Sequence, residues 1–233
     1  MCSDYLIMEV IFQDSSILVI NKPSGVLCIP DGYDRSIPHI RSILEHDFGR
    51  LWIVHRLDKE TSGLLLLARS EAAHQILNDQ FSNREIKKQY GALVFGSCIS
   101  DFSIDSPLKI NGDRKHRTVI DPQNGKPAKT NIESIECFEN SKCSLVYAFP
   151  ETGYTHQIRA HLSSSGFPIL GDSLYNSQES KIFSSNIPIK RVALHARNIT
   201  FRHPITGEML SFTCEFPDDF IQTISFLKNN RAS

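Results

Sequence analysis

The stretch that most constrains this chain runs from Leu51 to Ala68, where a polar segment is clamped between two apolar runs. Leu51-Trp52-Ile53-Val54 precedes it and Leu64-Leu65-Leu66-Leu67-Ala68 follows it. Short apolar runs bounded by polar, Gly-containing segments read as buried strands. The pattern therefore drives two strands into a core and holds His55-Arg56-Leu57-Asp58-Lys59-Glu60-Thr61-Ser62-Gly63 between them. A charged loop on a rigid scaffold is where binding and catalytic groups tend to sit. Asp58 is the loop's short-stemmed carboxylate. Arg56 lies two residues earlier, on the same side of an extended backbone. An Arg–Asp pair in such a loop is more often a solvated ion pair, so the rest of the chain must decide.

The chain's 233 residues suffice to bury a core without staples. A net charge of −1 carries no global signature of a nucleic-acid partner, which would have to be met by a local patch. Six scattered cysteines (2, 28, 98, 137, 143 and 214) form no CxxC pair and argue against a zinc site or a secreted disulfide framework. The N-terminus has no basic segment before its apolar residues, as a signal peptide would, and no apolar run approaches a membrane span. The expectation is a reduced, cytoplasmic protein. No Pro-, Gly- or Ser-rich linker separates two domains, so residues 1–233 read as one.

Two short runs, Val10–Phe12 and Ile17–Ile20, form a hairpin-like pair ahead of the turn Asn21-Lys22-Pro23-Ser24-Gly25, where Lys22 is expected to be solvated. Apolar residues at helical spacing predict helices over 36–48, from Ser70 as N-cap with a stripe of Ala73, Ile76, Leu77 and Phe81, and over 218–227. Strands are expected over 90–95, 130–138, 143–149, 192–196, 199–201 and 210–212. Thr155 is placed as the N-cap of a helix ending near Gly166. Arg159 falls mid-helix among apolar neighbours, where a charge is seldom buried unless paired; Asp58 is the candidate carboxylate. Between Lys109 and Lys129, six basic residues stand against two acidic ones. This is either an ordinary exposed loop or an arm that contacts phosphates.

His156 and His161 are five apart, the wrong spacing for two ligands on one helical face, and there is no HExxH, G-x-S-x-G, G-x-G-x-x-G or Walker sequence. A carboxylate, two arginines, a tyrosine and a basic loop remain. They suit a reaction through a cationic sugar-like centre. A glycoside hydrolase would need a second carboxylate, and nothing marks Glu60 for it.

At His55–Gly63 the sequence resembles the RluA family of RNA pseudouridine synthases. The resemblance continues, in order, through Asn21-Lys22-Pro23-Ser24-Gly25, Lys87-Lys88-Gln89-Tyr90, Gly125-Lys126-Pro127-Ala128, Thr155-His156-Gln157-Ile158-Arg159, Pro168-Ile169-Leu170-Gly171-Asp172 and Leu194-His195-Ala196. It covers about residues 10–216 and is closest to the compact branch without an N-terminal S4-type domain. The implied fold is α+β, a mixed, mostly antiparallel central sheet flanked by helices around a catalytic cleft. The implied activity is isomerisation of uridine to pseudouridine in structured RNA, ribosomal or transfer, by a cytoplasmic monomer that needs no cofactor or metal and acts on neither DNA nor membranes. By the same resemblance Asp58 is the catalytic aspartate, and Tyr90 stacks on the target base. Arg159 pairs with the aspartate, Leu194 walls the pocket, and Arg56 fills the stack left by the flipped uridine. Arg114, Lys115, Arg117 and Lys126 are the candidate contacts to the RNA backbone. One departure is visible: Tyr154 stands where the family usually has Arg. The rival classes are a catalytically silent RNA-binding or chaperone protein of the same fold and, more distantly, a nucleosidase.

Overall fold

Seven consecutive residues, Ser62–Ala68, are all buried, so the Leu64–Leu67 run faces apolar surroundings on both sides. Each such leucine contributes about 1.5–3 kcal/mol relative to exposure. This is the central strand of the first half of a computed structural model that describes residues 8–138, 140 and 142–229. Cys2 and the N-terminal residues on which the reading of no signal peptide rests lie outside the described residues.

In chain order the elements are β1 (Glu9–Gln13), β2 (Ile17–Lys22), α1 (Ile40–Phe48), β3 (Trp52–Ile53), β4 (Ser62–Ala68), α2 (Glu71–Ser82), β5 (Lys87–Phe95), β6 (Phe102–Asp105), β7 (Leu108–Lys109), β8 (Val119–Ile120), β9 (Lys129–Phe138), β10 (Cys143–Pro150), α3 (Gln157–Ser164), α4 (Gln178–Ser185), β11 (Leu194–Arg202), β12 (Met209–Thr213) and α5 (Asp218–Asn229). This is an α+β fold with mixed, mostly antiparallel strands. The described residues divide into two compact units, 8–88 with 196–214 and 89–195 with 215–229. No described helix is long and apolar enough to cross a membrane.

In the first unit β2 pairs antiparallel with β1 on one side and β4 on the other, β3 adds to β4, and β12 pairs antiparallel with β11. Ile17, Val19, Leu64 and Leu66 from the sheet pack with Ala73 and Leu77 of α2. Ser70 caps α2 as expected, its Oγ accepting the Ala73 N–H at 3.2 Å. Ile76, assigned to the buried stripe, is instead 40% exposed, while Gln80 turns inward and exchanges two hydrogen bonds with the Arg202 backbone. Helix α1 begins at Ile40 rather than Ser36. Pro38 disfavours helical geometry at Ile37, and His39 supplies a reciprocal cap with Ser42.

In the second unit β10 lies between β5 and β9, and β6 extends β9, all antiparallel. Residues 91–94 of β5 are all buried, with Ala92, Leu93 and Val94 at 0% exposure, so the strand is covered on both faces rather than alternating. Ile158 and Leu162 of α3 join the core formed by β5 and β10, together with Phe220 and Leu227 of α5. The expected Thr155 cap is absent. His156 takes that position in a left-handed conformation (φ 56°, ψ 18°) without a side-chain cap, and the Thr155 carbonyl accepts the Thr118 hydroxyl instead. Helix α4, too polar to show an apolar stripe, is held by a Ser177–Ser180 capping box.

Candidate active site

The loop carrying Arg56 and Asp58 is fastened to the 22–28 turn of the same unit. Lys22, expected in solvent, is fully buried. Its ammonium donates to the carbonyls of Pro23 (2.9 Å), Val26 (3.0 Å) and Lys59 (3.2 Å). A buried charge persists only when it is hydrogen-bonded, and three carbonyl dipoles meet that need here. The Gly25 N–H donates to the Lys59 carbonyl and the Ser24 hydroxyl to that of Glu60, both within 2.8 Å. On the N-terminal side the Leu57 N–H donates to Cys28 Sγ, and the thiol donates to the Leu57 carbonyl, each at 3.3 Å. Burial pushes the Cys28 thiol up, so it stays protonated and inert.

The Thr61 N–H closes a turn onto the Asp58 carbonyl at 3.1 Å. Leu57 points into the core, Arg56 is exposed and Asp58 half-buried, so the two charged side chains leave on the face opposite Leu57. Gly63 ends the loop at φ 108°. A β-carbon there would lie 2.3 Å from the Ala196 carbonyl oxygen, so no other residue fits without displacing β11.

His55 opens the loop. Its Nε2 accepts the Leu66 N–H at 3.0 Å and its ring stacks on Phe81 at 4.9 Å. Burial, with Lys88 adding its charge, pulls the His55 pKa down to about 3. A histidine that titrates at 6.5 when unfolded and near 3 when folded contributes stability that is fully present above pH 6.5. That stability is lost as pH falls through the interval. His55→Gln, which keeps an acceptor for Leu66, is expected to flatten the loss of urea stability between pH 7 and pH 4.5. An identical loss in both proteins would remove His55 as the cause.

The second unit holds Tyr90, Arg159 and Leu194. Tyr90 is half-buried against the core, Leu194 is 4% exposed within it, and Ile158 of α3 packs in the same cluster. Arg159 is buried, and its Nε and Nη2 donate to the two carboxylate oxygens of Asp172 at 2.7 and 2.9 Å. The carboxylate side chain is itself 0% exposed. Asp172 thus supplies a partner that the sequence reading passed over. Its Oδ1 also accepts the N–H groups of Leu174 and Tyr175. The preceding Gly171 adopts φ 73° with space for a β-carbon closed by the Arg191 carbonyl 2.0 Å away, so the turn that aims Asp172 requires glycine. The sequence signals this pair through the motif Pro168–Asp172 and through the turn read at Gly171-Asp172-Ser173-Leu174-Tyr175.

The basic segment sorts into two kinds of residue. Arg117 is ion-paired with Asp113 at 2.7 Å and donates to the Leu174 carbonyl, while Lys109 faces Asp121 and Lys129 pairs with Glu151. Arg114, Lys115 and Lys126 are exposed. Tyr154, at the departure from the resemblance, packs beside Leu108, Ala128, Ala160 and Tyr175. The neighbouring Gln157 is fully engaged with Thr152, Tyr154, Lys129 and Thr130. Among the described residues no cluster of three His, Cys, Asp or Glu side chains is arranged to hold a metal ion.

Comparison with known proteins places these features in context. The family model for RNA pseudouridylate synthase matches residues 16–164. The dual-specificity RNA pseudouridine synthase RluA of Haemophilus influenzae is 36% identical over 209 residues, 89% of this chain and 93% of that protein. The ribosomal large subunit pseudouridine synthase D of Zymomonas mobilis is 35% identical over 226 residues, 91% of this chain and 70% of that protein. Among solved structures, human RNA pseudouridylate synthase domain containing 4 superposes with a TM-score of 0.75 at 25% identity, covering 94% of this chain and 93% of its own.

Proposed function

Because this chain belongs to the RNA pseudouridine synthase family, and so is an isomerase acting on uridines in RNA, we propose that Asp58 is the anionic group that acts on the ribose of a flipped uridine. The reaction breaks the bond from N1 of the base to C1′ of the sugar and forms one from C5 to C1′. C5 loses a proton and N1 gains one, with no redox change and no water consumed. The observation that carries the reading is the loop itself: Asp58 is held on a backbone fixed at residues 57, 59 and 60. Preorganisation of this kind is what a positioned nucleophile or base requires.

The base must first leave its stack, at a cost of a few kcal/mol. Tyr90 offsets this by stacking on the uracil, worth about 1–3 kcal/mol, and Arg56 fills the space the base vacates. Leu194 supplies an apolar wall. Arg159, oriented by Asp172, is the cation that pairs with the reacting carboxylate. The RNA substrate is a stem–loop of ribosomal RNA, transfer RNA or both; support comes from relatives named for the ribosomal large subunit and for dual specificity. The working form is a cytoplasmic monomer.

The exposed Arg114, Lys115 and Lys126 contact phosphates, while Arg117 holds the segment in place. Removing one phosphate-binding charge should lower the slope of log affinity against log salt by about 0.7–0.9. Arg114→Gln with Lys115→Gln is therefore expected to weaken RNA binding and reduce the salt slope by about 1.5. An unchanged slope would return this segment to an ordinary surface loop. The isomerase reading as a whole is tested by tritium release from 5-labelled uridine in RNA, with pseudouridines mapped in total RNA with and without the gene. Binding without release would leave a silent RNA-binding protein.

A further inference from the structure

Tyr175 stands where the basic segment, the Arg159–Asp172 pair and the start of α3 meet. It is 6% exposed. Two guanidinium groups lie over its ring, that of Arg159 at 5.1 Å from the centroid and that of Arg117 at 5.8 Å. Both are within cation–π range. The hydroxyl accepts the Thr118 N–H at 2.7 Å and lies 3.1 Å from His156 Nδ1. Burial pushes the phenol up, so it remains protonated, accepting from the Thr118 N–H and lying within hydrogen-bond distance of His156 Nδ1. Its own N–H donates to Asp172 Oδ1, the atom that also receives Arg159 Nη2. From the other side, Thr118 donates its hydroxyl to the Thr155 carbonyl, and Arg117 donates to the Leu174 carbonyl. One residue therefore meets Arg159 and Arg117 through its ring, Thr118 and His156 through its hydroxyl, and the carboxylate that orients Arg159 through its backbone N–H.

We propose that Tyr175 is a positioning residue that transmits the docking of segment 113–118 to the guanidinium of Arg159. RNA engaged at Arg114 and Lys115 and the geometry of Arg159 are then set by one contact rather than independently. The inference rests on the assignment of Arg159 to the reacting site. Its bland counterpart is that Tyr175 merely fills the small core with Leu108, Ala128 and Ala160. A filler would affect stability, or affinity for RNA, but not selectively the turnover of bound substrate.

The test compares Tyr175→Phe and Tyr175→Leu in the full chain, measuring kcat, KM and the thermal midpoint on a stem–loop transcript that the wild type modifies. The Phe variant keeps the ring over which Arg159 lies and loses only the hydroxyl; its kcat is expected to fall about three- to tenfold. The Leu variant loses both, and kcat should fall about a hundredfold, the scale of a displacement near 1 Å at a reacting site. KM should stay within about threefold in both, since no group that touches RNA is removed. Wild-type kcat in a folded Leu variant overturns the proposal, as does a loss confined to KM. If the Leu variant does not fold, wild-type kcat in the Phe variant overturns it alone. Arg159→Lys, assayed alongside, separates the two readings. Full turnover there removes Arg159 from the reaction, whereas an inactive Arg159→Lys beside fully active Tyr175 variants overturns only the relay.

Discussion

Asp58→Asn is expected to abolish pseudouridine formation while leaving RNA binding intact. The amide has the size of the carboxylate and keeps the backbone contacts at Leu57, Lys59 and Glu60, none of which involves the side chain. It removes the charge proposed to attack or deprotonate the sugar. Loss of a positioned group of this kind typically costs 10²–10⁴-fold, so tritium release should fall to about one-thousandth of the wild-type rate or below. Filter binding to the same RNA should be unchanged or slightly tighter, because a negative charge near the phosphates is gone. Substantial release by the mutant would dismiss Asp58 as the reacting group and leave the family membership without its mechanism.

Asp172→Asn should have the largest effect on stability. Arg159 and Asp172 are both buried, and the pair is bidentate. As an intact unit such a pair adds little net stability, because desolvation offsets the attraction. Removing one partner is different: the buried guanidinium loses the carboxylate that it grips with two hydrogen bonds, at a cost of about 3–5 kcal/mol. The substitution also weakens acceptance of the Leu174 and Tyr175 N–H groups, so the 171–175 turn loosens. Urea denaturation would read the effect directly. A change below about 1 kcal/mol would mean that the Asp172 charge is not what holds Arg159 and the 171–175 turn in place.

Much of the fold could be read from periodicity because burial in this chain is concentrated in uninterrupted runs. The Leu64–Leu67 run is a fully buried strand in the structure, and Ser70 caps α2 where the sequence places it. What escaped had local causes. β11 reads as two strands because Arg197 and Asn198 interrupt its apolar residues. Both occupy half-exposed positions, with Asn198 hydrogen-bonded to Ser211 and Thr213 across the ladder. Helix α4 lacks an apolar face and depends on a cap between two serines. For the candidate site, motif order is what proposes Asp58, Tyr90 and Arg159, whereas contacts distant in sequence were invisible. Nothing in a single chain says that a lysine beside a proline will be engulfed, or that the aspartate of a Gly-Asp turn will hold an arginine thirteen residues earlier.

The engulfed lysine makes the loop self-reporting. An ammonium with no surface and three carbonyl partners cannot be acylated while the 22–28 turn and the 57–61 loop stay together, although the exposed Lys59 beside it can. Covalent labelling at Lys22 therefore counts excursions in which the turn lifts away and the aspartate loses its mounting. The rate at which that label accumulates is a clock for how often the loop comes off its mounting.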